Sequence, residues 1–400
     1  MNPGAGLGWL DALGPQKIRP GLARTRALLA ALGNPQASYR VLLVGGTNGK
    51  GSTAAAAASI LDAAGLRVGL TTSPHLVRVT ERVRLCGRDV SGAQLDSALR
   101  LVAAVSGEGA LCPTYFEALV VAACELFRRA RVSVAVVEVG IGGRLDATNV
   151  LDPEVSVVTN VEEDHLETLG PSLADVAREK AGIFRRGQPA LTAATGAGLD
   201  VLRLEAGQTG ARLLEIPPSP AWDDVSPLPG AHQRANLALA VAAARAFAPL
   251  ADATVRRGIA SIRWPGRLQN VPRPGLRPLL VDGAHNPAGA AALAAYLDTA
   301  GLSGRIDLVF GVLGDKAFEE MFASLATRAR RVVLVAPASP RAIPPEALAA
   351  RLGRPHLPQA ASLEDAIAGL DGSGGDAPIL VAGSLVLAGE ALALVEPREP

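Results

Sequence analysis

Lysine is nearly absent from this 400-residue chain: of thirty-nine basic residues only Lys17, Lys50, Lys180 and Lys316 are lysines, and all others are arginines. Arginine stands wherever a fixed positive charge suffices, so the surviving lysines are candidates for work that needs a compact or deprotonatable amine. Lys50 and Lys180 are read that way, and Lys17 and Lys316 as chance survivors. Cysteine is also scarce. Cys86, Cys112 and Cys124 form no C-x-x-C pair and cannot all pair with one another, which argues against a disulfide framework or a zinc site and predicts ordinary buried or half-buried thiols. Charge surplus is missing too: thirty-eight acidic residues leave a formal net charge of +1, so no global field draws the chain to nucleic acid or to an anionic membrane. Apolar runs break well before bilayer length, and the opening MNPGAGLGWLDALG has no basic region ahead of an apolar core. The chain is expected to stay in the cytoplasm.

What is present starts at residue 41. Val-Leu-Leu-Val-Gly-Gly-Thr-Asn-Gly-Lys-Gly-Ser-Thr runs an apolar, β-branched stretch into a glycine-rich loop with one lysine, and an alanine-rich helix former follows. Glycines let successive backbone N–H groups converge on a polyphosphate, Lys50 adds a point charge, and the helix N-terminus adds a partial positive charge. A nucleoside triphosphate is the natural guest. The strict pattern G-x-x-x-x-G-K-[ST] wants Gly where Val44 stands and a hydroxyl where Gly51 stands; here the hydroxyls come one residue late, at Ser52 and Thr53. The plainer alternative is a glycine turn between a strand and a helix.

A chain of this length is expected to form two domains. Apolar runs at 41–44, 132–139, 154–159 and 188–192 alternate with helical stretches, the rhythm of a parallel sheet covered on both faces, and a second series runs through 278–282, 306–310, 331–335 and 378–382. Between them a Pro/Gly-rich segment, 264–275, suits an interdomain linker, with the boundary near 270. The predicted class is α/β: an N-terminal P-loop ATPase-type domain with a mainly parallel sheet, and a smaller C-terminal Rossmann-like α/β domain.

Glu138 ends the second run ahead of Gly140-Ile-Gly-Gly143, and Asp164-His165 follows the third, so a carboxylate and an imidazole reach the strand ends where open α/β sheets bind ligands. Together they could hold a divalent cation beside the phosphates, although Mg²⁺ prefers oxygen and keeps several waters. A loop-capping glutamate and a hydrogen-bonded structural histidine remain the alternatives. Lys180 lies in a helical stretch ending at Gly182. It is either a surface helix lysine or an amine required to lose its proton.

The chain resembles the folylpolyglutamate synthase and dihydrofolate synthase branch of the Mur ligase superfamily. The resemblance runs through GGTNGKGST (45–53), TSPHL with TERV (72–76 and 80–83), TYFE (114–117), EVGIGGRLDATN (138–149), DHLETLG (164–170), REKAGIF (178–184), HQRAN (232–236), PGR (265–267) and DGAHNP (282–287), nine segments in the family's order. It implies an ATP-dependent amide ligase that joins L-glutamate to 7,8-dihydropteroate and to reduced folates through an acyl phosphate, with ATP and two Mg²⁺ ions as cofactors. By the same resemblance residues 1–270 are the ATP- and pterin-binding domain and residues 271–400 the glutamate-ligase-type domain.

Carried over residue by residue, Ser73, Glu138 and His165 would ligate the principal Mg²⁺, and Lys180 would be carbamylated to support a second ion. Thr47, Asn48, Gly49, Lys50, Gly51 and Ser52 would hold the triphosphate, with Asn236, Arg267, Asp282 and His285 as further nucleotide or cross-domain contacts. Thr114, Tyr115, Phe116 and Glu117, with Leu145, Asp146 and Ala147, would contact the pteroate, Phe116 by stacking and Asp146 as an acceptor for the pterin ring. Lys50 and the metals would spread the charge of the transferring phosphoryl group while closure excludes water. Glu162-Glu163 departs from the smaller or apolar residues usual in the family and leaves the local charge balance open. Two other readings stand beside this one: a regulatory P-loop ATPase, which would need only the first domain, and a cell-wall amino-acid ligase, which shares the loop and the lysine but not TSPHL and TYFE.

Overall fold

The computed structural model describes residues 4–14, 19–107, 112–314 and 317–395; Lys17 and Lys316 lie outside them. The chain divides into two compact units. The first holds Met1–Ser73, Val79–Pro227 and Gln233–Arg263, and the second Pro74–Arg78, Leu228–His232 and Trp264–Pro400. The expected boundary near 270 was a single cut, whereas two short segments from the earlier part of the chain join the second unit. Leu76 and Val77 pack against its apolar core, which explains where the first of these belongs.

In the first unit the strands are β1 (Arg40–Gly45), β2 (Val68–Thr71), β3 (Val83–Leu85), β4 (Arg88–Asp89), β5 (Val134–Glu138), β6 (Val155–Val158), β7 (Pro189–Thr192) and β8 (Arg212–Glu215). They form one sheet in the order β4-β3-β2-β5-β1-β6-β7-β8. Every pairing from β2 to β8 is parallel, and β3 and β4 add an antiparallel edge. The helices are α1 (Ala5–Leu13), α2 (Ala23–Ala31), α3 (Lys50–Ala63), α4 (Gly92–Val105), α5 (Tyr115–Arg129), α6 (Leu166–Leu169), α7 (Leu173–Ala181), α8 (Gly196–Thr209), α9 (Gln233–Phe247) and α10 (Asp252–Ala260).

The four predicted runs of this unit became β1, β5, β6 and β7, each buried along nearly its whole length as two-sided parallel strands must be. The alanine run of α3 gives high helix propensity and small side chains, and α3 packs closely on α9 and α10. From β1 the chain builds β2 to β5 on one side and then β6 to β8 on the other. The reversal makes the end of β1 a switch point, where ligands bind in such sheets.

The second unit has β9 (Gln269–Val271), β10 (Leu279–Val281), β11 (Ile306–Phe310), β12 (Ala329–Leu334) and β13 (Ile379–Ala382) in the order β12-β11-β13-β10-β9, all parallel except β9. Strand β9 lies inside the segment expected to be a linker: it pairs back onto β10, so that stretch is part of the sheet. Helices α11 (Pro287–Thr299), α12 (Phe318–Ala326), α13 (Pro345–Arg351), α14 (Leu363–Gly372) and α15 (Leu385–Val395) complete it, with one apolar cluster on each face of the sheet. All three cysteines are free. Cys86 is exposed, against expectation, because it occupies the tight turn between β3 and β4 with φ of 49°.

Candidate active site

Strand register gathers the first half of the site. Val44 lies opposite Glu138, Gly45 opposite Val158, and Thr71 opposite Val137, so the loops carrying Ser73, Glu138, the phosphate loop and Thr159-Asn160 leave one edge side by side.

The phosphate loop is shaped largely from the end of β6. Asn160 Oδ1 accepts the backbone N–H groups of Thr47 (3.2 Å) and Asn48 (2.9 Å), and the Thr159 hydroxyl donates to the Asn48 carbonyl at 2.6 Å. Thr47 Oγ1 exchanges hydrogen bonds with the backbone of Glu162, at 3.1 and 3.0 Å. Thr47 therefore shapes the loop with the groups that were expected to bind phosphate. At the Glu162-Glu163 departure both side chains are exposed, and it is the Glu162 backbone that pairs with Thr47.

Lys50 Nζ donates to the Thr47 carbonyl at 2.9 Å, folding its amine back over the loop. Gly49 has φ of 78°, and a Cβ there would sit 2.2 Å from Asn236 Oδ1; glycine is needed both for conformation and for the approach of α9. Asn236, whose Nδ2 donates to Gln233 at 2.8 Å, is thus brought to the loop. The N-terminus of α3, which includes Gly51 and Ser52, has no side-chain cap and no acidic residue in its first turn. Its positive end suits an anion.

Glu138 is 6 % exposed and its Oε2 accepts the N–H of Ser73 at 2.9 Å, so these two expected metal ligands are adjacent. His165 follows β6 at the same edge, as the left-handed residue (φ 54°) that opens α6; its ring is exposed, with Nε2 3.9 Å from Asp164 Oδ2. Lys180 is 3 % exposed, and Nζ donates to the Gly46 carbonyl at 2.9 Å. Burial, and next the positive charge of Lys50, lower its pKa to about 7 against the pull of Asp164. Glu138 and Ser73 bring oxygen donors together beside the phosphate loop, the donor type that a hydrated Mg²⁺ takes. Among the described residues no three His, Cys, Asp or Glu gather into a metal group, so phosphate oxygens and water would have to complete any coordination shell.

The segments assigned to the acceptor also meet. Thr114 and Glu117 form the capping box of α5: the Thr114 N–H donates to Glu117 Oε2 (2.7 Å) and the Glu117 N–H to Thr114 Oγ1 (3.2 Å). Tyr115 is buried beneath the Arg82 guanidinium, which lies 5.4 Å from its ring centroid. Phe116 lies against Gly140, where a Cβ would meet the ring at 2.7 Å and Asp146 Oδ2 at 3.0 Å. Asp146 organises its own loop. Its Oδ1 accepts the N–H (2.9 Å) and hydroxyl (2.5 Å) of Thr148, its Oδ2 accepts the Ile141 N–H (3.0 Å), and burial raises its pKa. Leu145 beside it is 47 % exposed, and Ala147 is buried.

In the second unit, Asp282 accepts the N–H groups of Leu268 and Ala284, each at 2.8 Å, and burial raises its pKa against the opposing Arg267 and His232. Arg267 lies over Trp264 and donates to the Gly266 carbonyl, while His285 Nδ1 sits 2.9 Å from the Gly283 carbonyl. Three contributors were not singled out from the sequence: Asn160, Arg82 and His232. Arg82 and His232 stand inside segments already recognised, TERV and HQRAN, and Asn160 at a predicted strand end. Position alone pointed at them.

This fold and this edge define an ATP-dependent ligase of the Mur type. Residues 44–197 match the Mur ligase middle domain and residues 266–385 the Mur ligase glutamate ligase domain. The folylpolyglutamate synthase of Lacticaseibacillus casei is 36% identical over 399 residues, covering 91% of this chain and 92% of that protein. A probable bifunctional folylpolyglutamate synthase/dihydropteroate synthase of Halobacterium salinarum is 39% identical over 93% of this chain, which spans about half (49%) of that longer relative. Among solved structures, Mycobacterium tuberculosis folylpolyglutamate synthase complexed with ADP superposes with a TM-score of 0.90 at 33% identity over 100% of both chains. Escherichia coli FolC in complex with DHPP and ADP gives 0.87 at 31% over 99% of both. A Yersinia pestis bifunctional enzyme complexed with AMPPNP and Mn ion gives 0.86 at 31%, over 99% of this chain and 98% of that one. The chain belongs to the folylpolyglutamate synthase and dihydrofolate synthase family of Mur ligases.

Proposed function

We propose that the protein uses ATP to ligate L-glutamate to 7,8-dihydropteroate and to reduced folates. A carboxylate oxygen of the acceptor attacks the γ-phosphorus, ADP leaves, the amine of glutamate attacks the acyl phosphate, and inorganic phosphate departs with loss of the ammonium proton. The observation that carries this reading is the arrangement at one sheet edge: a phosphate loop with Lys50, the Glu138–Ser73 pair, and acceptor segments around Phe116 and Leu145. No side chain there has to act as a nucleophile; the residues bind, orient and neutralise charge.

The divalent ion that the related enzymes bind would be held by Ser73, Glu138 and His165, and would neutralise developing phosphoryl charge. We assign Lys180 as the carbamylation site supporting a second ion. Carbamylation needs a neutral amine to attack CO₂, and a buried lysine with a pKa of about 7 supplies one, whereas a guanidinium could not. Arg267, Asp282 and His285 are assigned to nucleotide or glutamate contacts, residues 271–400 to the glutamate-ligase-type domain, and the protein to the cytoplasm as a monomer without nucleic-acid or membrane partners. No helix of the described residues is long and apolar enough to cross a membrane.

Purified protein assayed for ADP release with each acceptor, with and without L-glutamate, tests the proposal. Glutamate-dependent release with both acceptors is expected. Release with one alone makes the enzyme monofunctional, and glutamate-independent release refutes the ligase reading.

A further inference from the structure

Tyr115 and Phe116 stand in the first turn of α5, and what fixes that turn comes from elsewhere in the chain. Glu117, 3 % exposed, serves two partners at once. Besides capping Thr114, its carboxylate accepts Arg24 Nε at 3.0 Å on Oε1 and 3.1 Å on Oε2, with Arg24 Nη2 2.8 Å from Oε1. Arg24 lies at the start of α2, ninety-three residues earlier.

Its segment is stitched to the acceptor loops as well. Arg24 Nη2 also donates to the Arg19 carbonyl, Arg19 Nη1 donates to the Cys112 carbonyl at 3.3 Å, and the Gly21 N–H donates to the Leu145 carbonyl at 3.2 Å. Residues 19–24 thus join the approach to α5, its capping glutamate, and the exposed Leu145. None of these contacts reaches the phosphate loop. Removing the guanidinium would leave a buried carboxylate uncompensated, which a protein relieves by moving it or admitting water.

We propose that Arg24 is a positioning residue for the acceptor: by holding Glu117 it fixes the first turn of α5 while its segment holds Leu145, so that Phe116 and Leu145 keep the spacing that admits a flat aromatic head group. This rests on the assignment of Phe116 and Leu145 to the acceptor made above.

The test compares Arg24→Ala, Arg24→Lys and Glu117→Gln with the unmodified protein in KM for 7,8-dihydropteroate, KM for ATP, and direct acceptor binding followed by pterin fluorescence. We expect the acceptor KM and Kd to rise about tenfold or more in Arg24→Ala, with smaller rises in Arg24→Lys and Glu117→Gln. KM for ATP should stay within about twofold. Equal rises in both KM values would mean general loosening and overturn the proposal, as would an unchanged acceptor KM in any folded variant. If Arg24→Ala does not fold, the two milder variants decide. Absence of glutamate-dependent ADP release in the unmodified protein would instead refute the functional reading itself, so the two failures are distinguishable.

Discussion

The phosphate loop and the acceptor loop leave neighbouring strands, β1 and β5, and both are rich in glycine, yet they are held in different ways. The phosphate loop is shaped by another strand end: Asn160, the Thr159 hydroxyl and the Glu162 backbone all reach it from beyond β6. The acceptor loop is folded around its own carboxylate, with Asp146 taking the N–H groups of Ile141 and Thr148, and it is tied from outside only at its rim, where the Gly21 N–H reaches the Leu145 carbonyl, the Arg144 N–H the Glu179 carbonyl and Asn149 the Gly182 carbonyl and Arg185. A loop held from outside can present its backbone and Lys50 to a ligand that every ligase of this type shares. One held by its own carboxylate can vary its exposed residues, such as Leu145, without touching the nucleotide. Damage to one should therefore leave the other intact.

The largest effects should come where the two loops meet the reacting groups. Glu138→Ala and Lys180→Arg should each lower kcat by about a hundredfold or more in steady-state ADP release, because they remove charge placement in a dry site. Lys180→Ala should be partly rescued by formate or acetate occupying the vacated space. Undiminished activity in Lys180→Arg would show that no carbamate is needed. Next, Lys50→Ala should lose more than about tenfold, the value of one charge-assisted phosphate contact above about 1.4 kcal/mol.

The comparison itself is tested by a crossed pair. Asn160→Ala should raise KM for ATP by about threefold to tenfold and spare the acceptor, and Asp146→Ala should do the reverse. Equal losses of both substrates in either variant would show that the loops are one mechanical unit.

A smaller effect is the pH dependence of stability contributed by Lys180. Its folded pKa of about 7 lies below the ordinary 10.5, so between these values the unfolded chain holds a proton that the folded chain does not. Stability therefore rises with pH across that window, and the unfavourable contribution of the buried amine is full below about pH 7. In protein freed of CO₂, where Lys180 is an amine and not a carbamate, Lys180→Met should flatten the slope of denaturant-derived stability between pH 7 and 10. An unchanged slope would place the amine in water. Smallest of all, Glu162→Ala should alter kcat and both KM values by less than about twofold, since only its backbone meets Thr47.

Legibility followed locality. The strands at 41–44, 132–139, 154–159 and 188–192 were readable because two-sided burial writes a continuous apolar run. Strand β2 was missed because Val68-Gly-Leu-Thr is short and its glycine makes room for the Phe127 ring, and β8 because it is a largely exposed edge. At the site, Glu138 and Lys50 were visible from their place at a strand end and a loop. Glu117 and Thr114 were assigned to substrate, and the structure gives them a capping role and an arginine partner that a four-residue motif does not contain.

By itself the sequence determined the order of strand, phosphate loop and helix, and the α/β rhythm, because glycine conformations and hydrophobic periods are properties of neighbouring residues. Tertiary structure decided which strand ends stand together, that Lys180 lies buried against Gly46 at a distance of 134 residues along the chain, that Asn160 moulds the phosphate loop from 113 residues away, and that Arg24 holds Glu117. Those are contacts between distant segments, fixed by sheet register and by burial of the groups that make them, and no local pattern encodes either.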